Sequence, residues 1–64
     1  MKVREIIKLI EGDGWYRIKS KGGHRQYKHS LKPGRVTVPG QMNADLDKKT
    51  QNSILKQAGL QDQS

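Results

Sequence analysis

Val3, Ile6, Ile7 and Ile10 fall at i, i+3, i+4 and i+7, the spacing that puts four apolar side chains on one stripe of an α-helix. This stripe constrains the chain more than any other feature. The sequence has 64 residues, 13 Leu, Ile and Val between them, and no Phe. So sparse an apolar inventory with a net charge of +7 lies near the composition of disordered chains, so order depends on patterning. The stripe predicts a helix over residues 3–11, with Lys2, Arg4, Glu5, Lys8 and Glu11 on its wet face. Gly12-Asp13-Gly14 ends it, with Gly12 expected at a left-handed cap and Gly14 at a tight reversal.

Beyond the helix the periodicity changes. Residues 15–20 are aromatic and β-branched, bounded by Gly, and read as a strand. In so small an apolar set, Trp15 and Tyr16 are both expected in the core. Lys21-Gly22-Gly23 is then the hairpin turn, its two Gly supplying positive φ, and residues 24–29 form the second strand. Pro33-Gly34 turns the chain into a third strand over residues 35–38, closed by Pro39-Gly40. Asp45 or Asp47 caps a second helix that runs to about Ala58, with Gly59 just past its end. The order α-β-β-β-α predicts an α+β fold: one domain over residues 1–60, two helices on one face of a three-stranded antiparallel sheet. Residues 61–64 read as a frayed tail. Alternation along the second strand puts Tyr27, Arg25 and His29 on the core side, and His24, Gln26 and Lys28 on the open side.

Charge narrows the function. Lys and Arg number 13 against 6 Asp and Glu, and no acidic residue lies between Asp13 and Asp45. That interval holds Arg17, Lys19, Lys21, Arg25, Lys28, Lys32 and Arg35, a single-sign block suited to a polyanion such as a nucleic acid. It lacks the bulky apolar face of a membrane-surface helix. Glu5, Lys8 and Glu11 interrupt any leader-like apolar run, and the expected location is the cytoplasm. With no cysteine, two histidines and scattered carboxylates, neither a zinc site nor a two-metal nuclease is expected, and no cofactor is implied.

The string Lys21-Gly22-Gly23-His24-Arg25 is the most informative. Two glycines leave main chain uncovered for the close approach of a phosphate, and Lys21 and Arg25 flank it. Histidine supplies proton transfer near neutral pH. A plain hairpin turn followed by an exposed His is the rival reading. His29 reads as a solvated or rim residue, and Lys48-Lys49 as a solvated helix face or a phosphate contact.

Several motifs together resemble the HicA toxin family of toxin–antitoxin systems. These are Gly12-Asp13-Gly14-Trp15 after the first helix, Lys21-Gly22-Gly23-His24, Val36-Thr37-Val38-Pro39 and Ser53-Ile54-Leu55-Lys56-Gln57-Ala58-Gly59-Leu60. The resemblance spans residues 1–60, and its closing motif is the most specific part. It implies a double-stranded-RNA-binding-domain-like fold and an mRNA interferase, with the active-site His carried onto His24 and a HicB antitoxin as partner. Gly23 stands where the family usually has Ser. Joined to the residue reading, this gives a metal-independent endoribonuclease. His24 is its acid–base group, and Lys19, Lys21, Gly22, Gly23, Arg25 and Lys28 are its RNA contacts. The alternative is a double-stranded-RNA-binding module that cuts nothing.

Overall fold

In the computed structural model, which describes residues 1–60, helix α1 (Val3–Gly12) is followed by strands β1 (Tyr16–Lys21), β2 (His24–Lys28) and β3 (Val36–Val38) and helix α2 (Lys48–Gln57). The strands form one antiparallel sheet in the order β1-β2-β3. The tail expected at residues 61–64 lies outside the described residues.

The α1 stripe is what the sheet covers. Val3, Ile6, Ile7 and Ile10 are buried together with Trp15, Tyr27, Val36, Val38, Ile54 and Ala58. Tyr27 lies directly across from Val36, and Arg25 across from Val38, so this side of β2 and β3 faces the helices. Burying one such aliphatic side chain contributes roughly 1.5–3 kcal/mol, and four on one helix decide its position. At the start of α1, Glu5 accepts a hydrogen bond from the Lys2 amide (2.7 Å). The amides of Val3 and Arg4 donate to the carbonyls of Ala44 and Met42, which ties the β3–α2 loop to the helix start.

Two helix ends show why particular residues stand there. The cap of α2 is Asp47, whose carboxylate accepts from the Thr50 amide, while Asp45 pairs with Lys2. At its C-terminus the Leu60 amide donates to Leu55 and the Gly59 amide to Lys56, a Schellman motif that needs the positive φ of Gly59 (70°). At the end of α1 the expectation for Gly12 is corrected. Gly12 is the last helical residue, Asp13 is a right-handed cap, and Gly14 (φ 107°) makes the reversal.

The reason lies in what surrounds Gly14. A Cβ there would come within 2.7 Å of His29 Nε2. His29 is not a solvated or rim residue: its side chain is only 7% exposed and meets Trp15 edge-on, ring centroids 5.2 Å apart. Its Nδ1 accepts from the amides of Leu31 and Lys32, so Nε2 carries the proton and donates to the Asp13 carbonyl (2.7 Å). The Asp13 carboxylate pairs with Lys32, whose ammonium also donates to the Ala58 carbonyl (3.1 Å). The Trp15 indole donates to that same carbonyl (3.2 Å). The first and last motifs of the chain thus meet at one knot that fixes the α2 C-terminus against the α1–β1 turn.

Candidate functional site

Lys21, expected in the turn, is the last residue of β1, which leaves a two-residue turn: Gly22 and Gly23 have φ of 55° and 81°, the two left-handed residues of a type I′ turn, whose twist matches the paired strands. Nothing lies within 4 Å of a Cβ built at either position, so conformation alone calls for glycine there. A serine at position 23 would be strained by that φ, which gives the Gly23 departure a local physical reason. The turn sets Lys21 directly across from His24, and Lys19 across from Gln26.

His24 stands exposed at the head of β2. Its Nδ1 lies 3.3 Å from the Gly22 carbonyl. A carbonyl only accepts, so Nδ1 donates in this contact, and Nε2 makes no hydrogen bond among the described residues. The register puts Lys19, Lys21, His24, Gln26 and Lys28 on the open face of the sheet, with Thr37 across from Gln26. Arg35 donates to the Gln26 side chain (3.2 Å), adding a cation to that face. Among the described residues Lys19, Lys21 and Lys28 make no side-chain hydrogen bond or ion pair.

The site residues expected from the sequence are therefore divided. His24, Lys19, Lys21 and Lys28 share one face with the Gly22-Gly23 turn at its end. Arg25 lies on the helix side, where its guanidinium reaches the rim and donates to the Gly40 carbonyl (2.7 Å). Tyr16, expected in the core, is half exposed and lies across from Lys28 on the open face. Trp15 is in the core as expected. Lys48 and Lys49 are exposed in the first turn of α2. Lys32 belongs to the basic block in sequence but is taken up by Asp13 and Ala58.

The sequence places Arg17 in the basic block but does not show which face it serves. In a regular hairpin with Lys21 across from His24, Arg17 would lie across from Lys28 on the open face. A β-bulge at Ile18 shifts the register, and Arg17 lies across from Tyr27 on the helix side instead. The Ile18 in a run of cations was the one available signal, since it leaves the alternation without a buried position; it is 40% exposed.

Between α1 and the helix side of β1 and β2 runs a groove of about 450 Å³, lined by Ile7, Glu11, Arg17, Arg25, Tyr27 and Met42. Burial, with the nearby Glu11 carboxylate, raises the Tyr27 phenol above its ordinary value, so it stays protonated. Near the knot, the hydrogen bond from Lys32 holds the Asp13 carboxyl below the usual carboxylate range. Among the described residues no three His, Asp or Glu side chains gather as a metal site. No helix there is long and apolar enough to cross a membrane.

Comparison with known proteins bears on this arrangement. The chain matches the family model described as HicA toxin of bacterial toxin-antitoxin over residues 3–60. No curated protein matches. A chain in the solved toxin–antitoxin complex from Streptococcus pneumoniae is 31% identical, with a TM-score of 0.76 over 94% of this chain and 98% of that one. Motifs, fold and family model agree over nearly the whole length, and the chain belongs to the HicA toxin family.

Proposed function

We propose that this protein is the toxin of a toxin–antitoxin pair, an endoribonuclease that cuts mRNA in the cytoplasm with His24 as its acid–base group. The observation that carries the reading is His24 itself: exposed, its Nδ1 on the Gly22 carbonyl, its Nε2 free, on one face with Lys19, Lys21 and Lys28. Nε2 takes the proton of a ribose 2′-hydroxyl. The 2′-oxygen attacks phosphorus, the bond to the 5′-oxygen breaks, and the imidazolium returns its proton to that oxygen. Lys21, across from His24, and Lys19 beside it hold the phosphate and stabilise the charge that develops on it, while Lys28, four residues along β2 from His24, contacts the RNA backbone further along. Gly22 and Gly23 let it approach the main chain, and Arg25 meets RNA at the rim. One positioned acid–base group supplies about 10²–10⁴-fold, which suits a toxin that needs few cuts per message.

The donors are all protein cations and one imidazole, so the reaction runs without a metal. Incubation of RNA with the protein in EDTA, followed by mass spectrometry of the ends, tests this. Cleavage leaving 2′,3′-cyclic phosphates is the expected result. Intact RNA, or cleavage that only Mg²⁺ restores, overturns it. Intact RNA with tight duplex binding would instead favour a non-catalytic RNA-binding module, for which the exposed Lys48 and Lys49 at the start of α2 are the supporting observation.

No described segment of the chain covers His24, so silencing comes from outside. The similarity to a chain of a toxin–antitoxin complex supports a HicB-like antitoxin as the partner. It docks an acidic surface on the open face, because opposite charge steers and orients association.

A further inference from the structure

We propose that the groove between α1 and β1–β2 is a base-reading subsite that takes a guanine of the RNA substrate, hydrogen-bonded by Glu11 and by Arg17 and Arg25. The inference rests on the RNA reading above and adds to it a base reader on the other face of the sheet from His24. Three observations point there. First, the bulge at Ile18 turns Arg17 out of the open face and places it across from Tyr27, next to Arg25 on the same side. Bulges are used to re-aim a side chain beside a site. Second, Glu11 lies in the last turn of α1, where a negative charge opposes the helix dipole, and it has no ion-pair partner among the described residues. Helix stability does not account for it. Third, Ile7 and Met42 give the groove apolar walls, and its volume of about 450 Å³ is that of a small-ligand cleft.

The donor set selects the ligand. A phosphate or an acidic side chain would meet the two guanidiniums but would be repelled by Glu11. A guanine edge presents two adjacent N–H donors and, next to them, a carbonyl acceptor with N7 beyond it. Glu11 accepts from the first pair, and an arginine donates to the acceptors, as guanidiniums commonly do with guanine. Adenine offers one donor group and cytosine one. Arg25 already donates to the Gly40 carbonyl, which fixes its direction in the groove. β1 is the sheet edge, exposed along its whole length, so a single strand held by His24 on one face can pass over it to the other.

The test uses the wild-type protein, because nucleoside 3′-monophosphates carry no phosphodiester for it to cut. Guanosine 3′-monophosphate and cytidine 3′-monophosphate are titrated while the Met42 methyl and the Arg17 and Arg25 side-chain N–H signals are followed by NMR. The guanosine nucleotide is expected to shift these three and to bind about tenfold or more tightly than the cytidine one, with Glu11→Gln removing the difference. Equal effects of the two nucleotides, or shifts confined to the His24 face, overturn the subsite. Met42 shifts on adding the antitoxin but with neither nucleotide would also overturn it, and assign the groove to a protein side chain. The readout needs no catalysis. A guanosine-selective groove in a chain whose wild type leaves RNA intact upholds the subsite and rejects the cleavage reading, and cleavage without such selectivity does the reverse.

Discussion

Gly12 and Gly14 lie two residues apart, and the same substitution should move stability in opposite directions at the two. Gly14→Ala forces a side chain into φ 107° and drives its Cβ to 2.7 Å from His29 Nε2. The backbone strain costs roughly 1–3 kcal/mol. His29 must move, and its hydrogen bond to the Asp13 carbonyl breaks inside a closed site, which costs a further 1–3 kcal/mol or so. The total of about 2–6 kcal/mol compares with the roughly 3–5 kcal/mol of net stability open to a chain this small, so the variant should be largely unfolded. Gly12→Ala meets nothing within 4 Å and replaces a helical glycine, for a gain of about 0.5–1 kcal/mol. Urea unfolding followed by Trp15 fluorescence reads both, because the indole is buried and sits on the Ala58 carbonyl. With a slope near 1 kcal/mol per molar, Gly12→Ala raises the midpoint by about 0.5–1 M. A Gly14→Ala protein within about 0.5 M of wild type would refute the account of the knot.

Other expectations follow from the same geometry. Because Lys32 lowers Asp13 below its ordinary value of 3.8, this pair stabilises the fold above about pH 4, and its contribution is lost as pH falls through the lowered value. Melting curves should therefore lose this stabilisation only below pH 4, and Asp13→Asn should flatten that limb. Lys28→Glu, exposed on the open face, should weaken RNA binding and lower the slope of log affinity against log salt by about 1–2, with an unchanged melting temperature; an unchanged slope counts against the open face as the RNA surface. The same variant should slow association with the antitoxin at low salt, measured by stopped flow; an unchanged rate argues against docking on this face.

Much of the frame was legible in the sequence because its signals are local. The α1 stripe, the glycine turn and the Gly59 stop each depend on a few consecutive residues, whereas the α2 cap stayed open between Asp45 and Asp47 until the fold paired Asp45 with Lys2. His29 was not legible, because what buries it is Gly14 and Trp15, fourteen or fifteen residues away, joined by a turn whose shape the sequence does not spell out. Lys32 looked like one more cation of the basic block until the fold brought Asp13 and the α2 C-terminus to it. The single extra residue at Ile18 leaves no mark on composition, yet it decides which face Arg17 serves. His24, Gln26 and Lys28 could be grouped from β2 alternation, which is short-range; Lys19 and Lys21 joined them only through the strand register, because Lys21 ends β1 and the turn is two residues long.

In the proposed reaction His24 performs the chemistry, and among the described residues the one hydrogen bond of its exposed side chain is to the Gly22 carbonyl. His24→Ala should therefore leave the urea midpoint unchanged while lowering the RNA cleavage rate about 10²-fold or more. A folded His24→Ala protein that cleaves RNA at the wild-type rate would contradict it.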